Sequence, residues 1–205
     1  MRNKLVIAVD GPAASGKGTI SRALAVHFAL PHLDTGLLYR AVGWRVRESL
    51  NVSSALVAAC LFDSRWLEDP AIRTEEAARC ASLVSAMPEV RAALLERQRA
   101  FAGQDGGAVL DGRDIGTVIA PCANAKLFVT ADVRIRAQRR AAELGREVAP
   151  ILADLAERDR RDSGRAAAPL MRAADADLLD TSALAITCGV RRAIALVEAR
   201  IGRAR

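Results

Sequence analysis

Aromatic side chains make up only 3% of this 205-residue sequence, and lysine occurs just three times, at Lys4, Lys17 and Lys126. Nucleic-acid surfaces usually gather Lys and Arg along one face with aromatics between them. Here the net charge of +6 comes from arginines interleaved with acids, so no nucleic-acid partner is expected. Arginine is instead the better bidentate partner for phosphate and carboxylate. No run approaches the ~18–20 apolar residues that a membrane span requires. Met1–Lys4 leads directly into a strand-like run too short for a signal-peptide core and without a cleavage site. The expectation is a soluble, cytoplasmic chain with no membrane partner. The two histidines, His27 and His32, flank a helix end without ligand spacing and are expected to be structural or solvent-facing. Cys60, Cys80, Cys122 and Cys188 form no C-x-x-C pair, which argues against a disulfide framework or zinc site and leaves buried reduced thiols as the expectation.

What is present suits one α/β domain. The apolar fraction of 51% supplies a core, and the length is short for two ordinary domains. Residues 4–9 read as a buried central strand ended by Asp-Gly-Pro. A helix follows over about 16–29, then a short strand at His32-Leu33, then helical periodicity over about 37–50 and 54–62. Two further helices are expected over 73–87 and 88–101, with Pro88 at the first turn of the second. Strands at 108–110, 126–130 and 178–180 alternate with helices after Thr130, over about 150–162 and over about 186–201. Such alternation means a parallel sheet covered on both faces. The helical stretch 37–101 interrupts it and reads as an insertion.

The stretch from Gly11 through Pro12, Ala13, Ala14, Ser15, Gly16, Lys17 and Gly18 to Thr19 follows the first strand and opens a helix. That context places backbone N–H groups around an anion at a positive helix end. Gly11 and Gly16 allow close backbone approach, and Lys17 supplies a point charge for the β- and γ-phosphates. Gly18 stands where a hydroxyl is usual, so Thr19 is the nearest candidate for Mg²⁺, directly or through water. No Asn-Lys-x-Asp guanine-reading sequence occurs, and Val109-Leu110-Asp111 is a weak candidate for a metal-holding strand end.

Three further constellations carry polar chemistry. LDTGLLYRA, residues 33–41, sets Thr35, Tyr39 and Arg40 within two helical turns. VLDGRDIGTVIAP, residues 109–121, puts Arg113 and Asp114 at a strand's carboxyl end, where open α/β sheets bind ligands. In RDRRDSGR, residues 158–165, Arg158, Asp162 and Arg165 continue at 100° per residue the stripe begun by Ile151 and Leu155. Charges in line with a core stripe point into a cleft, paired or holding a ligand.

Together with IAVDGPAASGKGT, RTEEAARCASLVSAMPEVRAALLERQR and RAAAPL…ADA…LDTS, these stretches resemble the bacterial cytidylate kinases, over nearly the whole chain and in the same order. The resemblance implies a P-loop NTPase fold, a three-layer α/β/α with a central, mostly five-stranded parallel sheet. It implies a core of 1–35, 106–145 and 166–205, a helical monophosphate-binding insertion at 36–105, and an arginine-rich lid at 146–165. It implies transfer of the γ-phosphoryl group of ATP, with Mg²⁺, to CMP or dCMP on a monomer. Lys17, Arg113, Asp114 and Arg165 would be catalytic, and residues 11–19 would hold ATP. Thr35, Arg40, Arg113 and Arg165 would hold the acceptor phosphate, with Tyr39 beside them. Ser82, Arg91 and Asp114 would face the cytosine, and Arg158 and Asp162 the sugar. Cytosine's exocyclic amine needs an acceptor such as Asp114, and its N3 and O2 need donors. Two departures stand out: the segment between Asp63 and Arg73 is short where many relatives carry a small sheet, and Cys122 replaces a frequent Asp. Two other readings stay open on the phosphate loop alone: a P-loop ATPase or nucleic-acid-binding module, and a kinase of another small metabolite.

Overall fold

The computed structural model describes residues 4–203; the leading residues 1–3, read above as the approach to the first strand, and residues 204–205 lie outside it. Among the described residues the chain forms two compact units, 4–33 with 102–203, and Asp34–Phe101.

In the first unit, β1 (Leu5–Asp10), β2 (His32–Asp34), β3 (Gly107–Gly112), β4 (Ala125–Thr130) and β5 (Asp177–Asp180) form a five-stranded sheet of order β2-β3-β1-β4-β5. β1 pairs in parallel with β3 from Leu5↔Gly107 to Asp10↔Gly112, and with β4 from Ile7↔Ala125 to Asp10↔Phe128. β5 continues the parallel register from Leu127↔Asp177 to Thr130↔Asp180. A strand paired on both edges and covered on both faces needs no polar alternation, so β1 and β3 are buried almost throughout. The register sets Asp10, Gly112 and Phe128 side by side, so the loops that follow these strands share one sheet edge.

Helix α1 (Lys17–Phe28) and the C-terminal helix Ile186–Arg203 cover the sheet through Ile20, Leu24, Ala193 and Val197, packed on Ile7, Val9, Leu127, Val129 and Leu179. Burial of each larger aliphatic chain contributes about 1.5–3 kcal/mol. α1 stops where Ala29 turns left-handed at φ +52 and the Leu30 N–H returns to the Ala25 carbonyl, just ahead of Pro31.

The second unit is helical. α2 (Thr35–Arg45) begins at Asp34, whose carboxylate accepts from the Gly36 N–H at 2.9 Å. The helix expected as one piece over 37–50 ends instead at Arg45; a single turn follows, and Asn51 starts α3 (Val52–Cys60) by accepting from the Ser54 N–H. Asn51, a strong N-cap, thus opens the second stretch, expected over about 54–62. α4 (Glu75–Val84) is capped by Thr74 and carries Glu75 and Glu76 in its first turn, where the helix dipole favours acids. α5 (Pro88–Gly103) opens on Pro88 as expected. Two short helical turns, capped by Asp63 and Asp69, build the shortened segment. α2 and α4 cross at Gly43, where a Cβ would lie 2.8 Å from the Cys80 carbonyl carbon.

Returning to the first unit, α6 (Val133–Leu144) runs from the Asp132 cap to Gly145, and α7 (Val148–Ser163) follows. With the C-terminal helix numbered α8, no described helix is long and apolar enough to cross a membrane. The cysteine expectation needs correction: Cys80 is buried, but Cys60, Cys122 and Cys188 are exposed free thiols, each on a helix or loop face away from the core.

Candidate active site

The loop between β1 and α1 has the backbone of an anion cradle. Gly11 sits at φ +151 and Gly16 at φ +86, and even Ala14 is left-handed at φ +57. A Cβ on Gly11 would lie 2.0 Å from the Val129 carbonyl oxygen, so the loop can leave the sheet here only with glycine. The Thr19 and Ile20 N–H groups turn back to the Gly16 carbonyl at the helix start, and the Ser15 hydroxyl is buried without a hydrogen-bond partner. An unmet donor at a helix N-terminus suits a phosphate oxygen. Lys17 Nζ lies 3.8 Å from Asp111 Oδ1, and His32 Nε2 lies 2.9 Å from Asp111 Oδ2. Burial pushes the Asp111 carboxyl up, but the His32 contact, Lys17 and Arg113 outweigh it and hold the group below the usual carboxylate range. His32, expected to be structural or solvent-facing, is part-buried and held against Asp111. Gly18 has room: a Cβ there would find Arg22 at 3.6 Å and Asp111 at 4.0 Å.

Arg113 and Asp114 follow β3 at the same sheet edge. Arg113 Nε donates to Asp162 Oδ2 at 2.7 Å, and Arg165 pairs with the other oxygen of Asp162. Asp162 is only 1% exposed. Burial raises its carboxyl, yet Arg113, Arg165 and Arg158 together pull it below its ordinary value. Three guanidinium groups thus act on one buried carboxylate at this sheet edge. The helical count for Arg165 fails in detail, because α7 ends at Ser163 and Gly164 caps it; Arg165 reaches Asp162 from beyond the helix end.

Asp10, read above only as a strand terminator, is a further part of the site. Its two oxygens accept from the Ile115 and Gly116 N–H groups at 2.7 and 2.8 Å, directly after Arg113-Asp114, where the chain makes one wide helical turn over Ile115–Ile119. Burial pushes the Asp10 carboxyl up to about 7; Asp114 adds to the rise, while the two amides and Arg113 oppose it. Asp114 is itself buried at the start of that turn.

In the second unit, Thr35 is buried in the first turn of α2 and Ser82 is buried on α4. The Arg91 guanidinium lies 5.7 Å from the Tyr39 ring centroid and donates to the Ser85 carbonyl. Arg40 donates to the Ile72 and Thr74 carbonyls at 3.1 and 3.0 Å. On α6, Arg136 and Arg139 point inward, to the Ala13 and Thr181 carbonyls, while Arg134 and, past the helix, Arg146 are exposed.

A buried parallel sheet, a phosphate cradle after its central strand and an arginine cluster at the same edge define a P-loop nucleotide-binding protein. The sequence pattern that describes cytidylate kinase matches residues 7–199. A cytidylate kinase of Xanthobacter autotrophicus is 57% identical over 204 residues, covering 96% of this chain and 98% of that one. A cytidylate kinase of Cereibacter sphaeroides is 55% identical over 207 residues, covering 98% and 99%. The chain belongs to the cytidylate kinase family. The crystal structure of an uncharacterized protein from Eubacterium ventriosum shares the fold, with a TM-score of 0.61 at 12% identity over 95% of this chain and 99% of that one.

Proposed function

We propose that this chain transfers the γ-phosphoryl group of ATP to CMP or dCMP, giving CDP or dCDP and ADP. The observation that carries the reading is the arginine-rich cluster on Asp162 at the sheet edge that also bears the phosphate cradle. Phosphoryl transfer leaves little covalent work to the protein; alignment and charge neutralisation dominate. Residues 11–19 hold the donor, with Lys17 against its terminal phosphates. In the first unit, Arg113 and Arg165 hold the acceptor phosphate, Asp114 meets the cytosine amine, and Arg158 and Asp162 take the sugar. In the second, Thr35, Tyr39 and Arg40 serve the phosphate, and Ser82 and Arg91 the cytosine. Asp162 fixes the plane of the Arg113 guanidinium, so the arginine is oriented before substrate arrives.

The donor set suits Mg²⁺ held chiefly by nucleotide. Among the described residues no cluster of three or more His, Cys, Asp or Glu exists, and Mg²⁺ typically takes one or two protein oxygens plus phosphates and water. Thr19 and Asp111, the latter 3.8 Å from Lys17, are the residues that would hold it, directly or through water. When bound it would neutralise charge on the phosphates. Residues 146–165 act as a lid that excludes water and suppresses ATP hydrolysis. The remaining catalytic core is 1–35, 106–145 and 166–205, with 36–105 as the monophosphate-binding insertion. The same reading has a cytoplasmic monomer working on small molecules, with neither nucleic acid nor membrane as partner.

Cytosine specificity is the sharpest test. UMP would turn a carbonyl toward Asp114, leaving two acceptors facing each other in a buried site. Asp114→Ala is expected to reduce the preference for CMP over UMP in kcat/KM at least tenfold, the scale of one buried polar mismatch. An unchanged preference contradicts the assignment of Asp114.

A further inference from the structure

Arg136, on α6, is a charged side chain only 4% exposed. Its Nε donates to the Ala131 carbonyl at 2.9 Å and its Nη1 to the Ala13 carbonyl at 3.0 Å. Nη1 and Nη2 also fork onto the Asp159 carboxylate at 3.3 and 2.5 Å. One planar group thus joins the turn after β4, the phosphate loop and α7. The phosphate loop, α6 and α7 also share an apolar cluster of Ala13, Ala137, Ala141, Ile151 and Leu155.

The Ala13 carbonyl belongs to the same planar peptide as the Ala14 N–H, and the two point in opposite directions. Fixing that carbonyl from α6 therefore aims the Ala14 amide away from Arg136. The Ser15 carbonyl is held likewise by the Thr181 hydroxyl at 3.1 Å. Ala14 is left-handed without being glycine, a conformation that persists only where its surroundings enforce it. Asp159 lies on α7 between Arg158 and Asp162, the residues assigned to the acceptor.

We infer that Arg136 is a positioning residue that orients the phosphate-loop amides for the donor nucleotide and, through Asp159, keys the loop to the helix serving the acceptor. The inference rests on the proposed role of ATP as donor. A lysine cannot replace the guanidinium, because one ammonium has no rigid fork to span three acceptors.

The test compares wild type, Arg136→Lys, Asp159→Asn and the double variant in KM for ATP, KM for CMP, kcat and Tm. Calorimetric titration with ADP is run on each. Arg136→Lys is expected to raise KM for ATP about tenfold and lower kcat, with KM for CMP changed less than about twofold. Asp159→Asn moves the same parameters by a smaller factor, and the double variant is less than multiplicative. Folded single variants with wild-type KM for ATP and kcat overturn the inference, whatever their Tm. A rise in KM for CMP alone overturns it as well. If Arg136→Lys does not fold, Asp159→Asn decides by the same criterion. A wild-type chain that cannot phosphorylate CMP defeats the functional reading, and ADP affinity then decides the positioning role: weaker in the variants supports it, equal overturns it.

Discussion

Arg113 illustrates how much one side chain in this chain is asked to do. Its Nε is committed to Asp162, yet the side chain retains 13% exposure at the sheet edge. Arg113→Ala is expected to cut kcat/KM with CMP by on the order of a hundredfold or more, the scale of losing one preorganised charge-stabilising donor. ADP binding at the phosphate loop should persist; a transfer rate within a few-fold of wild type would remove Arg113 from the chemistry. Two of the buried aspartates, Asp162 and Asp10, respond to pH in opposite senses. Asp162 is depressed below its ordinary value, so its stabilisation is present above the unfolded pKa near 4 and disappears as pH falls through the folded value. Asp10 is raised from 3.8 to about 7, so its contribution is full below about pH 4 and is lost as pH rises toward about 7. Thermal melts of wild type and Asp10→Asn should therefore differ in slope: relative to the variant, wild type loses Tm between about pH 4 and 7. Parallel curves across that window would show that Asp10 does not titrate there.

Packing between elements turns on two glycines with opposite prospects. At Gly43 a Cβ would come within 2.8 Å of the Cys80 carbonyl carbon and 2.9 Å of the Ala81 nitrogen, and neither backbone atom can move alone. Gly43→Ala should cost about 1–3 kcal/mol by overpacking, a Tm loss of roughly 2–10 °C at this chain length. Gly18→Ala meets only ordinary contacts inside α1 and should keep or raise Tm, since alanine favours helix over glycine by about 1 kcal/mol. Equal melting of the two variants would contradict the α2–α4 crossing. The elements themselves were largely legible from sequence. β1, the phosphate loop and the strand ending at Asp111 announce themselves in contiguous residues, and Pro88 marks a local boundary, whereas the Asn51 cap was missed. Contacts made across the chain were not legible. Asp10 meets Ile115 over 105 positions, His32 meets Asp111 over 79, and Arg136 meets Ala13 over 123. No local spacing encodes such pairs; the parallel register creates them. Arg165 is the mixed case, expected on a helix face and delivered to the same carboxylate by the chain just past that helix.

Across the whole molecule, the few lysines and scarce aromatics acquire a reason. Arg113, Arg136, Arg139 and Arg200 pair with carboxylates and backbone carbonyls of the first unit, at Asp162, Asp159, Thr181 and Asp177. Charge is spent on orientation within the first unit, and the family to which the chain belongs supplies the matching acceptor. In the proposed function this orientation serves transfer from ATP to a cytidine monophosphate. The decisive experiment incubates the full chain with Mg-ATP and, separately, CMP, dCMP, UMP, AMP and GMP and identifies the products. CDP and dCDP are expected in step with ADP, with much slower turnover of UMP, AMP and GMP. ADP released without a phosphorylated nucleotide, or released only when DNA or RNA is added, would contradict it.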